Sequence, residues 1–134
     1  MSKRNLVLAI DFDDTIVNSV ESWQNGKLTF NKDAKESINY LHDKLNCEII
    51  IWSCRDQYDK RLYDPMVKFL NENDVHYDKI NENCSFNAER GWLPRKIYAD
   101  FYIDDKGFLF EPINWQKIVS FIKNYKERYK DEFI

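Results

Sequence analysis

The sequence predicts a three-layer, doubly wound α/β domain in which a parallel sheet lies between helices. Three short runs are apolar almost throughout: Leu6 to Ile10, Glu48 to Trp52 and Ala99 to Ile103. That is the pattern of strands covered on both faces rather than half exposed to water. Between and after these runs, apolar residues recur at helical spacing. Buried strands alternating with amphipathic helices imply right-handed βαβ crossovers, and therefore a parallel, Rossmann-like sheet.

Taken in order, Leu6-Val7-Leu8-Ala9-Ile10 forms the first strand. Ala34, Ile38, Leu41 and Leu45 then share a helical face, with Asn31 placed to cap and Asp33 favourable in the first turn. Glu48 to Trp52 is the second strand. Met66, Phe69 and Leu70 mark a second helix, with Asp64 as cap and Pro65 at the first helical position. A start nearer Asp59 is left open. Val75 to Ile80 adds a short strand and Ala99 to Ile103 a longer one. Ile118, Phe121, Ile122 and Tyr125 line the last helix, where Asn114 can cap and Ile113 can staple onto Ile118.

No repeat, low-complexity tract or Gly/Pro-rich linker divides the 134 residues, so residues 1–134 read as one domain. Hydrophobic residues make up 43% and charged residues 32%, a globular balance with a core to bury. Lys plus Arg number 20 against 23 Asp plus Glu, which gives no electrostatic footprint for long nucleic acid. Cys47, Cys54 and Cys84 contain no CxxC pair, so neither a disulfide framework nor a thiolate zinc site is indicated. No apolar run is long enough to cross a bilayer and no signal-peptide core is seen, so a cytoplasmic protein without membrane contact is expected.

Two acidic clusters carry the chemistry. Asp11-Phe12-Asp13-Asp14-Thr15 follows the first strand, and Asp104-Asp105 follows a later one. Open parallel sheets bind ligands outside the carboxyl ends of their strands, where Asp11, Ser53 and Asp104 would converge. Clustered carboxylates repel one another and are costly to desolvate, so a divalent cation is expected to neutralise them.

DFDDT at residues 11 to 15, Ser53 closing a strand, Lys96, and Asp104-Asp105 stand in the order found in the haloacid dehalogenase (HAD) superfamily, which the chain resembles over nearly its whole length. The resemblance implies a Mg²⁺-dependent phosphatase. Asp11 would be the nucleophile that forms an aspartyl-phosphate, and Asp13 the acid and then the base. Mg²⁺ would be held by Asp11, the Asp13 backbone carbonyl and Asp104. Ser53 would donate to a phosphoryl oxygen, and Lys96 would hold Asp11 ionised, with Arg95 and Lys106 as competing cations. Asp105 would bind metal through water or orient Lys96. Many members carry Gly where this chain has Asp14, so the turn there needs a residue that tolerates the left-handed region. No interval has room for a substantial cap domain. A capless site implies a phosphorylated small molecule or polymer end as substrate, or a homo-oligomer in which a neighbouring subunit serves as lid.

Other readings compete. An isolated DxD is most often a solvated strand end. A receiver-like module that binds or accepts phosphate without turnover uses similar parts, but places its acidic pair early and its acceptor on a middle strand. Cys84 and Arg90 have the CX5R spacing of cysteine-dependent phosphatases, yet Phe86 and Glu89 between them suit a phosphate cradle poorly. Arg55 is expected to be exposed, with substrate contact as the alternative. Trp23 and Trp92 are expected in loops. His42 is expected to face solvent and His76 has no partner at ligand spacing, so neither is given a role.

Overall fold

Four parallel strands form the sheet of the computed structural model, which describes residues 3–108 and 111–134, leaving aside the side chains of Ser19, Glu21 and Trp23. The elements run β1 (Val7–Ile10), α1 (Ser19–Asn25), α2 (Ala34–Asp43), β2 (Glu48–Ile51), α3 (Lys60–Glu72), β3 (Lys79–Ile80), α4 (Ser85–Ala88), β4 (Phe101–Ile103) and α5 (Trp115–Arg128). The strand order is β3-β2-β1-β4. Ile10 stands level with Ile51 on one side and Ile103 on the other.

This order fixes where the helices lie. The connections from β1 to β2 and from β2 to β3 step the same way across the sheet, so right-handed crossovers put α2 and α3 on one face. The connection from β3 to β4 steps back over two strands and must cross the opposite face. The packing agrees. Leu6, Leu8, Ile10, Ile49 and Ile51 form one core with Ile38 and Leu41 of α2, Met66 and Leu70 of α3, and Trp115 and Ile122 of α5. Val7, Ala9 and Ile50 meet Cys84, Ile97 and Ala99 from the returning segment, with Trp52, Phe86 and Tyr98 against them. The second layer is therefore thin, an irregular segment around the short α4 where the sequence suggested a full helical layer.

Both faces of β1 are buried along its whole length, so each large aliphatic side chain there contributes roughly 1.5–3 kcal/mol. Asp100 pins β4 to this strand. Its carboxylate accepts the Val7 N–H at 2.7 Å and two Arg4 guanidinium bonds at 2.7 Å, while its own N–H donates to the Val7 carbonyl. Burial alone would raise the Asp100 carboxyl, but these bonds outweigh it and hold it below the ordinary value.

Two caps differ from the sequence expectation. The Asn31 side chain donates to the carbonyls of Thr15 and Val17 rather than capping α2, whose N-cap is Asp33 at φ 63°. α3 starts after Asp59, so Pro65 lies inside it and Asp64 is not its cap. The apolar face of Met66 and Leu70, four residues apart, outweighs the one backbone bond that Pro65 cannot make.

Asn114 caps α5 as the sequence predicts, accepting the Lys117 N–H at 3.1 Å. Replacing Asn114 by Ala is expected to destabilise the fold by about 1 kcal/mol, read from the urea midpoint. An unchanged midpoint would mean that water serves this helix end equally well.

Candidate functional site

β2 lies on one side of β1 and β4 on the other, so the winding reverses between β1 and β4, and the carboxyl ends of these two strands are where such a sheet places its ligand crevice. Asp11 enters it from β1, with its N–H bonded to the Ile103 carbonyl at 2.9 Å. Asp104 and Asp105 enter from β4. Carboxylate oxygens of all three lie within 4.8 Å of one another. Burial pushes the Asp11 carboxyl up to about 7, with the charge of Asp104 and the hydrogen bond and charge of Asp105 adding to it. Burial also acts against Asp105, but bonds from Asp104, Lys106 and Asp11 outweigh it and hold Asp105 below the ordinary carboxylate value. Between Asp11 and Asp105, burial thus favours the proton on Asp11. Closely set, oxygen-only donors that need a positive charge between them fit a hard divalent cation such as Mg²⁺.

The loop after β1 presents Asp11 from a rigid base. Phe12 is fully buried in the core, and Asp14 turns the chain at φ 63°. That is the left-handed conformation expected where Asp stands in place of Gly. The Asp14 N–H closes the loop on the Val17 carbonyl at 2.8 Å. Thr15 is buried beneath the cluster and ties both strand ends together. Its hydroxyl accepts the Asp105 N–H at 3.1 Å and lies 3.4 Å from Asp11 Oδ2. Its carbonyl accepts bonds from the Trp115 indole and from Asn31, each at 3.2 Å.

Ser53 follows β2. Its N–H is held by Asn81 at 2.8 Å and its hydroxyl oxygen accepts the Arg55 N–H at 3.0 Å. The hydroxyl proton is therefore the part of Ser53 that can donate to a ligand oxygen.

Arg55 departs most from expectation. It is 4% exposed, and its guanidinium grips both oxygens of Asp13 at 2.9 and 2.8 Å. It also donates to the Leu62 carbonyl at 3.0 Å and to the Ser22 hydroxyl at 3.1 Å, and lies over the Phe12 ring. The Asp13 carboxylate thus points at Arg55, while Asp11, Asp104 and Asp105 gather separately. A lone arginine after Ser53 carried no periodic or motif signal, and its role depends on the loops after β1 and β2 lying side by side.

Lys96 is exposed, with its ammonium 5.1 Å from the centre of the Tyr102 ring. Among the described residues it makes no ion pair with the acidic cluster. Arg95 is exposed as well. The cation found at the cluster is Lys106, 3.3 Å from Asp105. Cys84 is buried and precedes α4, and three of the amides that would cradle phosphate are engaged: Cys84 N–H on Asn83, Ser85 N–H on Glu48, Ala88 N–H on the Cys84 carbonyl. Arg90 folds onto the Phe86 ring, so the CX5R spacing has no structural counterpart. Trp23 belongs to α1, not a loop, and its side chain lies outside the described residues. Trp92 is exposed. His42 and His76, expected to be unrelated, meet at Asp43.

An open cleft of about 470 Å³ borders the cluster, lined by Asp14, Asn31, Lys32, Asp105 and Glu111 to Ile113. Asp105 is therefore reached from solvent, between the turn at Asp14 and the segment from Glu111 to Ile113.

The Asp11 shift predicts a pH dependence. A carboxyl raised on folding contributes stability that is full below its unfolded value of 3.8 and is lost as pH rises through about 7. Metal-free protein should therefore lose on the order of 1–2 kcal/mol over that range from this group, after allowance for solvent screening. The check is the melting temperature of the wild type minus that of Asp11→Asn, followed against pH with chelator present. A flat difference would contradict the buried like-charge cluster.

No family model matches this sequence, and none of the curated proteins matches it. Among solved structures the chain is similar to a conserved protein from Bacteroides thetaiotaomicron, with 24% identity and a TM-score of 0.72 over 92% of this chain and 93% of that one. That likeness shows the α/β fold. No helix among the described residues is long and apolar enough to cross a membrane.

Proposed function

We propose that the protein is a Mg²⁺-dependent phosphomonoesterase that works through an aspartyl-phosphate on Asp11. The observation that carries this reading is the gathering of Asp11, Asp104 and Asp105 within 4.8 Å at the one crevice where the sheet reverses its winding. Asp11, Asp104 and the Asp13 carbonyl would hold the cation, and Asp105 would steady it through water. When bound, Mg²⁺ supplies the positive charge that lets an anionic nucleophile approach a phosphate dianion.

The chain's own groups account for the rest. Asp11 must give up its proton before it can attack, and the Lys106 ammonium beside Asp105 favours that loss. In the first displacement an Asp11 oxygen bonds to phosphorus as the ester oxygen leaves, taking a proton from Asp13. In the second, Asp13 takes a proton from water, which attacks phosphorus and frees Asp11 and inorganic phosphate. Ser53 directs its hydroxyl proton at a phosphoryl oxygen. Lys106 replaces Lys96 as the favoured cation, because it is the one that reaches the cluster. The open cleft suits a phosphorylated small molecule or a polymer end, or a second copy of the chain serving as lid.

One observation favours a second reading, a phospho-accepting module with little turnover. Both Asp13 oxygens are engaged by Arg55, and proton transfer requires one of these bonds to open. If they stay closed, a donor whose leaving group needs no proton can still phosphorylate Asp11, while the water that should release the phosphate lacks its base.

Hydrolysis of p-nitrophenyl phosphate, with MgCl₂ or with EDTA, separates the readings. Steady phosphate release that EDTA stops supports the enzyme, and a panel of phosphate esters would then identify its substrate. Stable phosphorylation without release supports the acceptor. Release that continues in EDTA defeats both.

A further inference from the structure

The opposite end of the sheet holds a second cluster with different chemistry. His42 and Asp43 end α2, just ahead of β2, and His76 and Asp78 lie ahead of β3. The His42 Nδ1 is 2.7 Å from Asp43 Oδ1, and the His76 Nδ1 is 2.8 Å from Asp43 Oδ2. The two rings meet edge to face with centres 5.8 Å apart. Ligand atoms of His42, Asp43 and His76 all lie within 4.8 Å of one another.

We infer that His42, Asp43 and His76 form a metal site for a borderline cation of the zinc class. Two imidazole nitrogens and a carboxylate oxygen are a donor set suited to Zn²⁺, whereas the oxygen-only cluster at the other pole suits Mg²⁺. The surroundings resemble those of built metal sites. The His42 Nε2, on the far side of the ring from Asp43, lies 3.2 Å from Asp78 Oδ1, and Asp78 is fixed by accepting the Ile49 N–H at 2.8 Å. A carboxylate on the second ring nitrogen is what orients metal-binding histidines. The backbone at His76 is held as well, since its main-chain N–H donates to Asn39 Oδ1 at 2.8 Å and the Asn39 side chain in turn donates to the Asp74 carbonyl. Asn39 belongs to α2, so the same helix that supplies two ligands also positions the third.

All three candidate ligands are between about a third and two fifths exposed, so a cation enters from solvent and water can complete its shell. In the metal-free arrangement a proton lies on each nitrogen–oxygen line. A cation takes the place of these protons and joins the end of α2 to the segment before β3. Nothing in this arrangement involves Asp11, Asp104 or Asp105, so the two sites should load independently.

The chain contains two histidines, so the test is direct. ZnSO₄ is titrated into the full-length protein near neutral pH while the ring nitrogens are followed by NMR. One equivalent of Zn²⁺ should shift the Nδ1 resonances of both rings, equally well in wild type and in Asp104→Asn. His42→Gln and His76→Gln should each weaken binding at least tenfold, read by competition with a chelating dye. The wild-type NMR result does not depend on either variant folding. Rings that stay unmoved at millimolar ZnSO₄, a response of one ring alone, or binding that survives both histidine changes but disappears in Cys54→Ser would overturn the assignment.

Discussion

Asp11→Asn is expected to reduce Mg²⁺-dependent phosphate release by at least about 10³-fold while leaving the fold intact. The amide matches the carboxylate in shape but is not a nucleophile, and it offers the cation no charge. The same change should leave the metal-free protein near neutral pH as stable as wild type or more so. It removes one charge from three carboxylates set within 4.8 Å, the one that burial has already pushed up to about 7. Lost activity with retained or increased stability distinguishes a chemical role from a structural one. Activity surviving in Asp11→Asn would remove Asp11 from the reaction, and a collapsed fold would show that the carboxylate holds the loop rather than serving a substrate.

The largest stability effect should come from Arg55→Ala, about 3 kcal/mol. The guanidinium is almost fully enclosed and serves Asp13, the Leu62 carbonyl and the Ser22 hydroxyl at once, against the face of Phe12. Its removal leaves a partly buried carboxylate unpaired and a gap between the loops after β1 and β2. Asp13 retains 23% side-chain exposure, so water relieves part of the loss, which places the effect at the lower end for a broken buried pair. Arg55→Lys should recover less than half, because a point charge cannot grip two oxygens and reach a carbonyl as well. Asp13→Asn combined with Arg55→Ala should cost less than the two single changes added together. Urea unfolding of the four proteins reads this directly. A loss below about 1 kcal/mol in Arg55→Ala would mean that the pair is incidental. Arg55 is a positioning residue in this account, so a chemically active Arg55→Lys should show an altered pH profile of turnover as Asp13 is released.

β1 and β2 were legible because burial on both faces leaves an unbroken apolar run, as in Leu6 to Ile10 and Ile49 to Ile51, whereas β4 leaves Tyr102 exposed and only Lys79–Ile80 of the expected Val75 to Ile80 strand forms. Asn114 was legible because its capping bond is local. The helix before β3 was harder. Pro65 reads as a first-turn residue, but tertiary packing of Met66 and Leu70 carries the helix back to Lys60 through a missing bond. The thin second layer was hidden too, since residues 81–100 cover one face with scattered side chains such as Cys84, Ile97 and Ala99 rather than a periodic helix.

At the site, Asp11, Asp104 and Asp105 could be read from the sequence because strand ends in parallel sheets share one edge. Lys106, next to Asp105 in the chain, was legible as one of three competing cations, but the grip of Arg55 on Asp13 and the meeting of His42 with His76 were not. Both depend on which loops become neighbours, and that follows from the strand order β3-β2-β1-β4 rather than from any spacing along the chain. Thr15 belongs with them: the DFDDT run contained it, but the bond from its hydroxyl to the Asp105 N–H appears only when β4 lies beside β1.

Calorimetric titration of the metal-free protein with MgCl₂ just below neutral pH, in two buffers of different ionisation enthalpy, tests the central claim most directly. One Mg²⁺ should bind per chain with release of a proton from Asp11, and that binding should be lost in Asp104→Asn. Absence of binding at millimolar Mg²⁺, or binding undiminished in Asp104→Asn, would contradict the claim.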